Sequence, residues 1–189
     1  MGDPRRLKKK YKKPKKLWDK DRIKDESKLV KTYGLKNMRE LWIADAELRK
    51  VRREARRLLA LSEEEREKQS KNVLGKLNRL SILSDSADID DVLSLTVESF
   101  LERRLQTLVY KKGLAKTIKQ ARQLITHGFI AVNGRKVTSP GMIIPKALED
   151  KISYYKPINL DQPLPKDTNE SNDGESANEA QEVDTSKEE

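Results

Sequence analysis

The chain has 189 residues, with 41 Lys and Arg against 31 Asp and Glu, giving a formal net charge of +10. It has no cysteine, which excludes disulfides and cysteine-ligated zinc, and no apolar run long enough to cross a membrane. Apolar residues make up 35 % and aromatic residues 5 %, so we expect a small aliphatic core. The basic charge balance indicates a polyanionic partner, either nucleic acid or an anionic membrane surface.

The charge is unevenly distributed along the chain. Residues 161–189 hold ten acidic and two basic side chains, net −8, so the rest carries +18. Residues 1–24 hold twelve bases and three acids and show no helical or strand period. We expect both ends to be disordered, because like charges repel and little apolar surface can be buried. No signal-peptide apolar segment follows the N-terminal cations, which indicates a soluble, intracellular protein.

Three interpretations of the N-terminal arm are open. It solubilises or targets the protein, it binds a membrane, or it folds against phosphates. Its apolar residues do not form an amphipathic face, which disfavours the membrane. We favour the third interpretation, in which the arm folds against phosphates.

Apolar residues three or four positions apart predict an amphipathic helix from about residue 37 to residue 61. Six cations lie off this apolar stripe within nine residues, with only Glu54 among them to offset their repulsion. They are Arg49, Lys50, Arg52, Arg53, Arg56 and Arg57. Such a run forms either a solvated helix face or a phosphate-binding face, and the scarcity of acids favours the second.

The next three predicted helices follow this one in chain order. Ser62 and Glu65 make a capping box that starts the first of them, to about residue 80. The polar stretch 84–88 then breaks the pattern. The other two helices are expected at 89–95 and 96–112.

The strongest local signals follow residue 116. Thr117 and Gln120 make a capping box for a helix that ends at Gly128. Asn133-Gly134 predicts a tight hairpin, because both turn positions need positive φ. The expected strands are 129–132, 135–138, 142–144 and 151–155.

These elements predict an α+β protein that is mainly helical. We expect a helical domain, a small helix–hairpin domain with short antiparallel strands, and disordered tails. The boundaries are a basic arm over 1–36, the helical domain over 37–100, the nucleic-acid-binding helix–hairpin domain over 101–158 and an acidic tail over 159–189.

The start of the helix at Thr117 is a candidate phosphate-binding site, because helix N-termini expose N–H groups and carry positive dipole charge. Lys116 and Lys119 add charge there, and a stiff hairpin would hold Arg135 and Lys136 beside the helix. Contact with phosphates and shape suits structured RNA better than sequence reading of DNA. Aromatic platforms for single-stranded nucleic acid are scarce in this sequence.

The sequence has no pattern for catalysis. It lacks a Gly-rich phosphate loop, a nucleophile elbow and a His-assisted nucleophile, and its carboxylates do not cluster at metal-ligand spacing. The single histidine, His127, is expected at a helix end, capping carbonyls or touching a phosphate. We therefore expect no enzymatic activity, no cofactor and no metal.

Residues 102–137, ERRLQTLVYKKGLAKTIKQARQLITHGFIAVNGRKV, resemble the small αL-type RNA-binding domain named after the fourth protein of the small ribosomal subunit. Pseudouridine synthases and some tRNA synthetases share that domain. Four stretches are similar to the archaeal and eukaryotic branch of the ribosomal protein family itself: RRLKKKYKKPKKLW, YGLKNMRELW, RREARRLLAL and DVLSLTVESFLERRLQTLVYKKGLA. The resemblance covers about residues 2–155.

The resemblance implies direct binding to small-subunit (16S-type) rRNA, early assembly of the subunit body and a contribution to translational accuracy. It implies a cytoplasmic location in the small ribosomal subunit. The fifth small-subunit protein and other ribosomal proteins would be neighbours, with no membrane and no small-molecule substrate. Two alternatives are a non-ribosomal RNA-binding assembly or quality-control factor and an RNA-modifying enzyme, for which the matched residues leave no catalytic domain.

The candidate RNA-binding residues come from two arguments. The charge pattern indicates Arg5, Arg6, Lys8, Lys9, Lys10, Lys12, Lys13, Arg49, Arg52, Arg53, Arg56, Arg57 and Lys116. The resemblance implies Arg103, Arg104, Thr117, Lys119, Gln120, Arg122, Gln123, His127, Asn133, Arg135 and Lys136. For Arg122→Ala the sequence predicts RNA binding weaker by about 1–3 kcal/mol, the scale of a lost charge-assisted contact.

Overall fold

A computed structural model of the protein describes residues 9–84 and 86–157. Within these ranges the chain forms α-helices and one small antiparallel sheet, so the predicted mainly helical α+β class is confirmed. The predicted disorder of residues 1–8 and 159–189 lies outside the described residues. The elements are α1 (Lys20–Thr32), α2 (Met38–Leu59), α3 (Glu63–Arg79), α4 (Ile89–Ser94), α5 (Val97–Glu102), α6 (Leu105–Lys111), α7 (Ile118–Thr126), β1 (Ile130–Val132), β2 (Arg135–Lys136), α8 (Lys146–Glu149) and β3 (Ile152–Tyr154).

Helix α2 is the central element of the N-terminal half and confirms the helix predicted over 37–61. The predicted apolar stripe is buried except at Ala44, which is partly buried, and the helix packs against α1, α3, α4 and α5. Asn37 caps it, with the side-chain oxygen accepting a hydrogen bond from the backbone N–H of Glu40 at 3.3 Å. Because one face of α2 is committed to this core, the arginine-bearing face is left at the surface.

The expectation that residues 20–24 lack structure is wrong, because α1 begins at Lys20. The helix has little apolar surface of its own, but Leu29 and Val30 pack against the buried Leu41 and Leu101. These contacts come from distant parts of the chain. A helix with no strong period of its own is therefore stabilised by tertiary packing.

The predicted helix over 96–112 is two helices, α5 and α6, which break at Arg103 and Arg104. At the break, Arg104 forms an isolated antiparallel bridge with Ile143. The N–H of Leu105 donates to the carbonyl of Met142 at 2.8 Å instead of continuing the helix. The predicted strand at 142–144 is thus reduced to this bridge and its flanking hydrogen bonds.

The two predicted capping boxes differ in the structure. The Thr117 hydroxyl accepts from the N–H of Gln120 at 3.1 Å. The Gln120 side chain accepts from the N–H of Lys116 at 2.7 Å, one residue before the position that the motif predicts. At α3, Ser62 makes no side-chain capping hydrogen bond, so the box predicted there is wrong although the helix begins at Glu63.

The sheet has the order β2-β1-β3, with both pairs antiparallel. Asn133 and Gly134 adopt φ values of 52° and 73°, which confirms the predicted hairpin turn. All three residues of β1 are buried, while Arg135 and Lys136 of β2 are exposed. The buried middle strand therefore anchors a hairpin whose outer strand presents two cations to solvent.

Gly34 lies where the α1–α2 turn meets the start of α7. Its φ is +57°, and a Cβ there would lie 2.5 Å from Cγ2 of Ile118 and 3.0 Å from Nε2 of Gln106. We expect Gly34→Ala to lower the free energy of unfolding by about 2–5 kcal/mol, since left-handed backbone strain and overpacking add. Urea denaturation followed by circular dichroism measures this.

Gly113→Ala is the matched control for that substitution. Gly113 has φ +72°, and a Cβ added there would meet no atom within 4 Å, so only the backbone strain of about 1–2 kcal/mol is expected. Equal losses in the two variants would contradict the steric role of Ile118.

Candidate nucleic-acid interface

The arginine face of α2 lies at the surface, as predicted. Arg53, Arg56 and Arg57 are exposed, and no carboxylate among the described residues forms an ion pair with them. Cations without internal partners repel one another and are free to bind phosphate oxygens. We call Arg53, Arg56 and Arg57 the α2 arginine face.

The other two predicted arginines of α2 have partners in the protein. Arg52 is half-buried, and its Nη2 donates to the carbonyl of Leu95 just beyond the end of α4 at 2.5 Å. Arg49 is exposed and pairs with Asp45 at 2.6 Å. Arg52 therefore ties α2 to α4, whereas the exposed pair of Arg49 is weak enough to exchange for another anion.

The N-terminal segment meets α2 at an open cleft of ≈ 240 Å³. The rings of Tyr11 and Trp42 lie 6.0 Å apart in its wall, and the guanidinium of Arg39 lies 5.7 Å from the centre of the Tyr11 ring. The cleft brings the predicted arm cations and α2 cations together. Its lining residues are Lys9, Lys10, Tyr11, Lys12, Trp42, Asp45, Ala46, Arg49 and Arg53.

The predicted arm cations lie at the surface wherever the structure describes them. Lys9, Lys10, Lys12 and Lys13 are all exposed. Arg5, Arg6 and Lys8 lie outside the described residues. Their contact with RNA stays a prediction.

Helix α7 and the hairpin carry the second group of predicted residues. Lys116, Thr117, Lys119, Asn133, Arg135 and Lys136 are exposed, and His127 is exposed at the C-cap of α7, the place predicted for it. Gln120 and Gln123 are half-buried. The hairpin lies against the end of α7, since a Cβ at Gly128 would overlap the Cε of Lys136. The structure therefore places Lys136 of the hairpin against the end of this helix.

Among the RNA contacts that the resemblance implies, Arg103, Arg104 and Arg122 have carboxylate partners within the protein. Arg104 donates to Glu40 at 2.7 Å, and Arg122 donates to both oxygens of the same carboxylate at 2.6 and 3.1 Å. Arg103 pairs with Glu149 at 2.8 Å and donates to the carbonyl of Ile144. Arg103 and Arg104 are only 8 % and 6 % exposed. Their placement assigns them to the interior, so an RNA contact would need them to leave these partners.

Glu40 is held as a carboxylate by this arrangement. Burial raises the pKa of the Glu40 carboxyl, but hydrogen bonds from Arg122 and Arg104, together with their positive charge, outweigh it and leave the pKa below its ordinary value. The carboxylate is thus charged near neutral pH and joins α2 to α6 and α7. We call Glu40, Arg104 and Arg122 the Glu40 cluster.

Gln106 extends the cluster, and sequence reasoning missed it. It is 1 % exposed, and its Nε2 donates to the carbonyls of Gly34 at 2.9 Å and Ile118 at 3.1 Å. Its Oε1 accepts from Arg122 at 3.3 Å. Asn37 and Glu40 carry a helix-start pattern that sequence reasoning could have used, but no local pattern pairs Glu40 with arginines 64 and 82 positions away.

Neither a metal centre nor a membrane-spanning helix is found in the part of the chain that the structure describes. Over residues 9–84 and 86–157, no three His, Cys, Asp or Glu side chains come together as a group that could hold a metal ion. None of the helices there is long and apolar enough to cross a membrane.

Comparisons with known proteins separate the chain into two matched regions. Residues 5–102 match the family model of the ribosomal protein S4/S9 N-terminal domain, and residues 103–150 match that of the S4 domain. The chain is 56 % identical to small ribosomal subunit protein uS4 of Ignicoccus hospitalis over 82 % of its length and 93 % of the relative. It is 54 % identical to uS4 of Sulfolobus acidocaldarius, over 82 % of the chain and 89 % of the relative. The chain belongs to the uS4 family.

This membership confirms the archaeal-type resemblance found in the sequence. In this uS4-family chain, the two matched regions meet at Arg103, where α5 and α6 break. Glu40 lies in the first region, and Arg104 and Arg122 lie in the second. The Glu40 cluster therefore joins the two regions through side chains.

Proposed function

We propose that this protein is a structural constituent of the small ribosomal subunit and binds small-subunit rRNA directly. The observation that carries the proposal is the α2 arginine face, Arg53, Arg56 and Arg57, exposed without carboxylate partners among the described residues in a chain of the uS4 family. Relatives at 50–56 % identity are named small ribosomal subunit proteins. Such a surface suits a polyanion, and an RNA-binding domain in the same chain suits RNA.

The mechanism that we propose is electrostatic and architectural. Cations of α2 and the N-terminal arm take one set of phosphates, while those of α7 and the β1–β2 hairpin take another. Because the Glu40 cluster joins the helices that carry these two groups, bound RNA segments would be held in a fixed relation. Each neutralised phosphate releases counterions, so affinity falls steeply as salt rises.

The residue assignments belong to this proposal. The exposed cations and the polar residues of α7 and the hairpin are the contacts, and Arg103, Arg104, Arg122 and Arg52 act mainly by holding the fold. The division into an arm over 1–36, a helical domain over 37–100, an RNA-binding domain over 101–158 and a tail over 159–189 is kept as part of the proposal. The role has no catalytic step and needs no cofactor or metal.

The proposal also includes the finer role that the resemblance implies. The protein would nucleate assembly of the subunit body in the cytoplasm and contribute to translational accuracy. Its neighbours would be other ribosomal proteins, among them the fifth small-subunit protein. Two proposed groups of phosphate contacts on one small protein support an early role, because each group could bind a separate RNA segment.

Sucrose-gradient fractionation of native lysate at moderate and high salt tests the proposal. We expect stoichiometric comigration with small subunits at both salt concentrations, with a large-subunit protein as the control for fraction identity. Release of the protein into light fractions at moderate salt would contradict the structural role. It would support the alternative, a non-ribosomal RNA-binding assembly or quality-control factor that exchanges with subunits.

A further inference from the structure

The most exposed large apolar side chain among the described residues is an indole. Trp18, just before α1, is 91 % exposed, and its neighbour Leu17 is 53 % exposed. The only other tryptophan of the chain, Trp42, is half-buried beneath the N-terminal segment. An indole left in water loses the free energy that burial would supply, so a partner that covered the ring would recover that free energy.

The backbone that carries Trp18 is held in place by side chains. Nη2 of Arg22 donates to the carbonyls of Lys16 at 3.1 Å and Leu17 at 3.0 Å. Nη1 of the same guanidinium donates to Glu26 at 2.6 Å, and Glu26 accepts from the indole N–H of Trp42 at 3.4 Å. The ring is thus presented on an ordered corner, which lowers the entropic cost of binding.

The surroundings of this corner identify the chemistry of the partner. Trp18 is flanked along the chain by exposed cations: Lys12, Lys13, Lys15, Lys16 and Lys20. Lysine is depleted at protein–protein interfaces, whereas cations beside aromatic rings are the usual combination for single-stranded nucleic acid. A partner with a dense negative charge and flat apolar faces fits both features.

We propose that Trp18 is a stacking platform for an unpaired base of the bound RNA, with the flanking lysines on the neighbouring phosphates. This inference rests on RNA being the partner in the proposed function, and it adds a site outside the α2 arginine face, α7 and the hairpin. It is compatible with the sequence-based expectation that aromatic platforms are scarce, because one exposed indole serves one base.

Fluorescence of the full chain tests the contact directly. Trp42→Phe leaves Trp18 as the only tryptophan, and the probes are a 12-nucleotide oligoadenylate and inorganic polyphosphate of equal charge. We expect oligoadenylate to quench the Trp18 emission and polyphosphate to leave it unchanged, because only the first has bases. In Trp18→Phe, which keeps Trp42, oligoadenylate should produce little quenching. Equal quenching by both probes would overturn the proposal.

Affinity measurements supply a second readout that does not depend on fluorescence. We expect Trp18→Ala to weaken oligoadenylate binding about 5- to 140-fold, which is ~1–3 kcal/mol for one stacked base, and polyphosphate binding less than about twofold. Trp18→Phe, which keeps an aromatic face, should recover most of the loss. Arg22→Lys keeps the charge but lacks the forked guanidinium, so it should lose part of the affinity with Trp18 intact. Unchanged oligoadenylate binding in Trp18→Ala would contradict the platform.

The stacking inference and the ribosomal function fail in different ways. Because Trp18 is exposed, Trp18→Ala should unfold at the same urea midpoint as the native protein. Any change in RNA affinity would then reflect the lost indole and not a loss of folding. If native protein comigrates with small subunits but Trp18→Ala binds oligoadenylate normally, only the inference is wrong. If Trp18→Ala keeps RNA affinity and loses a cross-link to another ribosomal protein, the indole enters a protein pocket and the base-stacking proposal is overturned. If native protein stays in light fractions and oligoadenylate still quenches Trp18, only the ribosomal role is wrong.

Discussion

Glu40→Gln is expected to lower the free energy of unfolding by about 3 kcal/mol at neutral pH. The substitution removes the charge that two arginines share and leaves Arg104, whose side chain is 8 % exposed, without its anion. Removing one partner of a buried ion pair costs ~3–5 kcal/mol, and the lower end applies because the Glu40 and Arg122 side chains are 20 % and 21 % exposed. Urea denaturation of the full chain measures the change.

Asp45→Asn is the matched control for that prediction. Asp45 lies on the same helix and pairs with an arginine at 2.6 Å, but the side chain of its partner, Arg49, is 63 % exposed. Exposed pairs contribute ~0–1 kcal/mol, so the control should lose little stability. If Asp45→Asn and Glu40→Gln lower the free energy of unfolding by the same amount, burial of the Glu40 cluster does not contribute to stability.

The same carboxylate predicts a pH dependence with a defined sign. The pKa of Glu40 is lowered in the folded protein relative to its ordinary value of 4.5. A group of this kind stabilises the fold fully above its unfolded pKa, and that stabilisation is lost as pH falls through the folded pKa. The stability difference between native protein and Glu40→Gln should therefore shrink as pH falls below about 4.5. A difference that stays constant from pH 7 to pH 3 would contradict the linkage.

Local pattern was sufficient for the elements that carry most of the proposed site. The apolar stripe of α2 fixes which face is buried, so it also fixes that the arginines lie opposite. Asn133-Gly134 was sufficient to predict the hairpin, and Thr117 was sufficient to predict the start of α7. Both the turn and the helix cap depend only on residues close together in sequence. These features depend on residues a few positions apart, and a single sequence contains that information.

Contacts between distant residues account for what the sequence did not predict. Helix α1 depends on packing against Leu41 and Leu101, and the break between α5 and α6 depends on the pairing of Arg104 with Ile143. The Glu40 cluster joins residues 64 and 82 positions apart. Burial also depends on tertiary packing, so neither the cation pattern nor the family resemblance could separate the buried Arg103 and Arg104 from the exposed cations.

We expect the α2 arginine face to have its largest effect on the salt dependence of RNA binding. Replacing Arg53, Arg56 and Arg57 with glutamine removes three exposed cations that have no carboxylate partners among the described residues. If each neutralises one phosphate, the slope of log affinity against log salt becomes shallower by about 2–3. If the native protein and the triple variant bind RNA about equally at 1 M salt, the native protein should bind ~100- to 500-fold more tightly at 0.1 M salt.

Filter binding to a small-subunit rRNA transcript over that range measures both slope and gap. The control triple replaces Lys68, Lys71 and Lys76 of α3 with glutamine, which changes the net charge equally at another exposed surface. Because counterion release counts only cations that lie on phosphates, this variant should keep nearly the native slope. If both triples lose affinity equally, binding follows net charge and the α2 arginine face is no specific contact. A flatter slope in the α2 variant alone would place that helix against the RNA backbone.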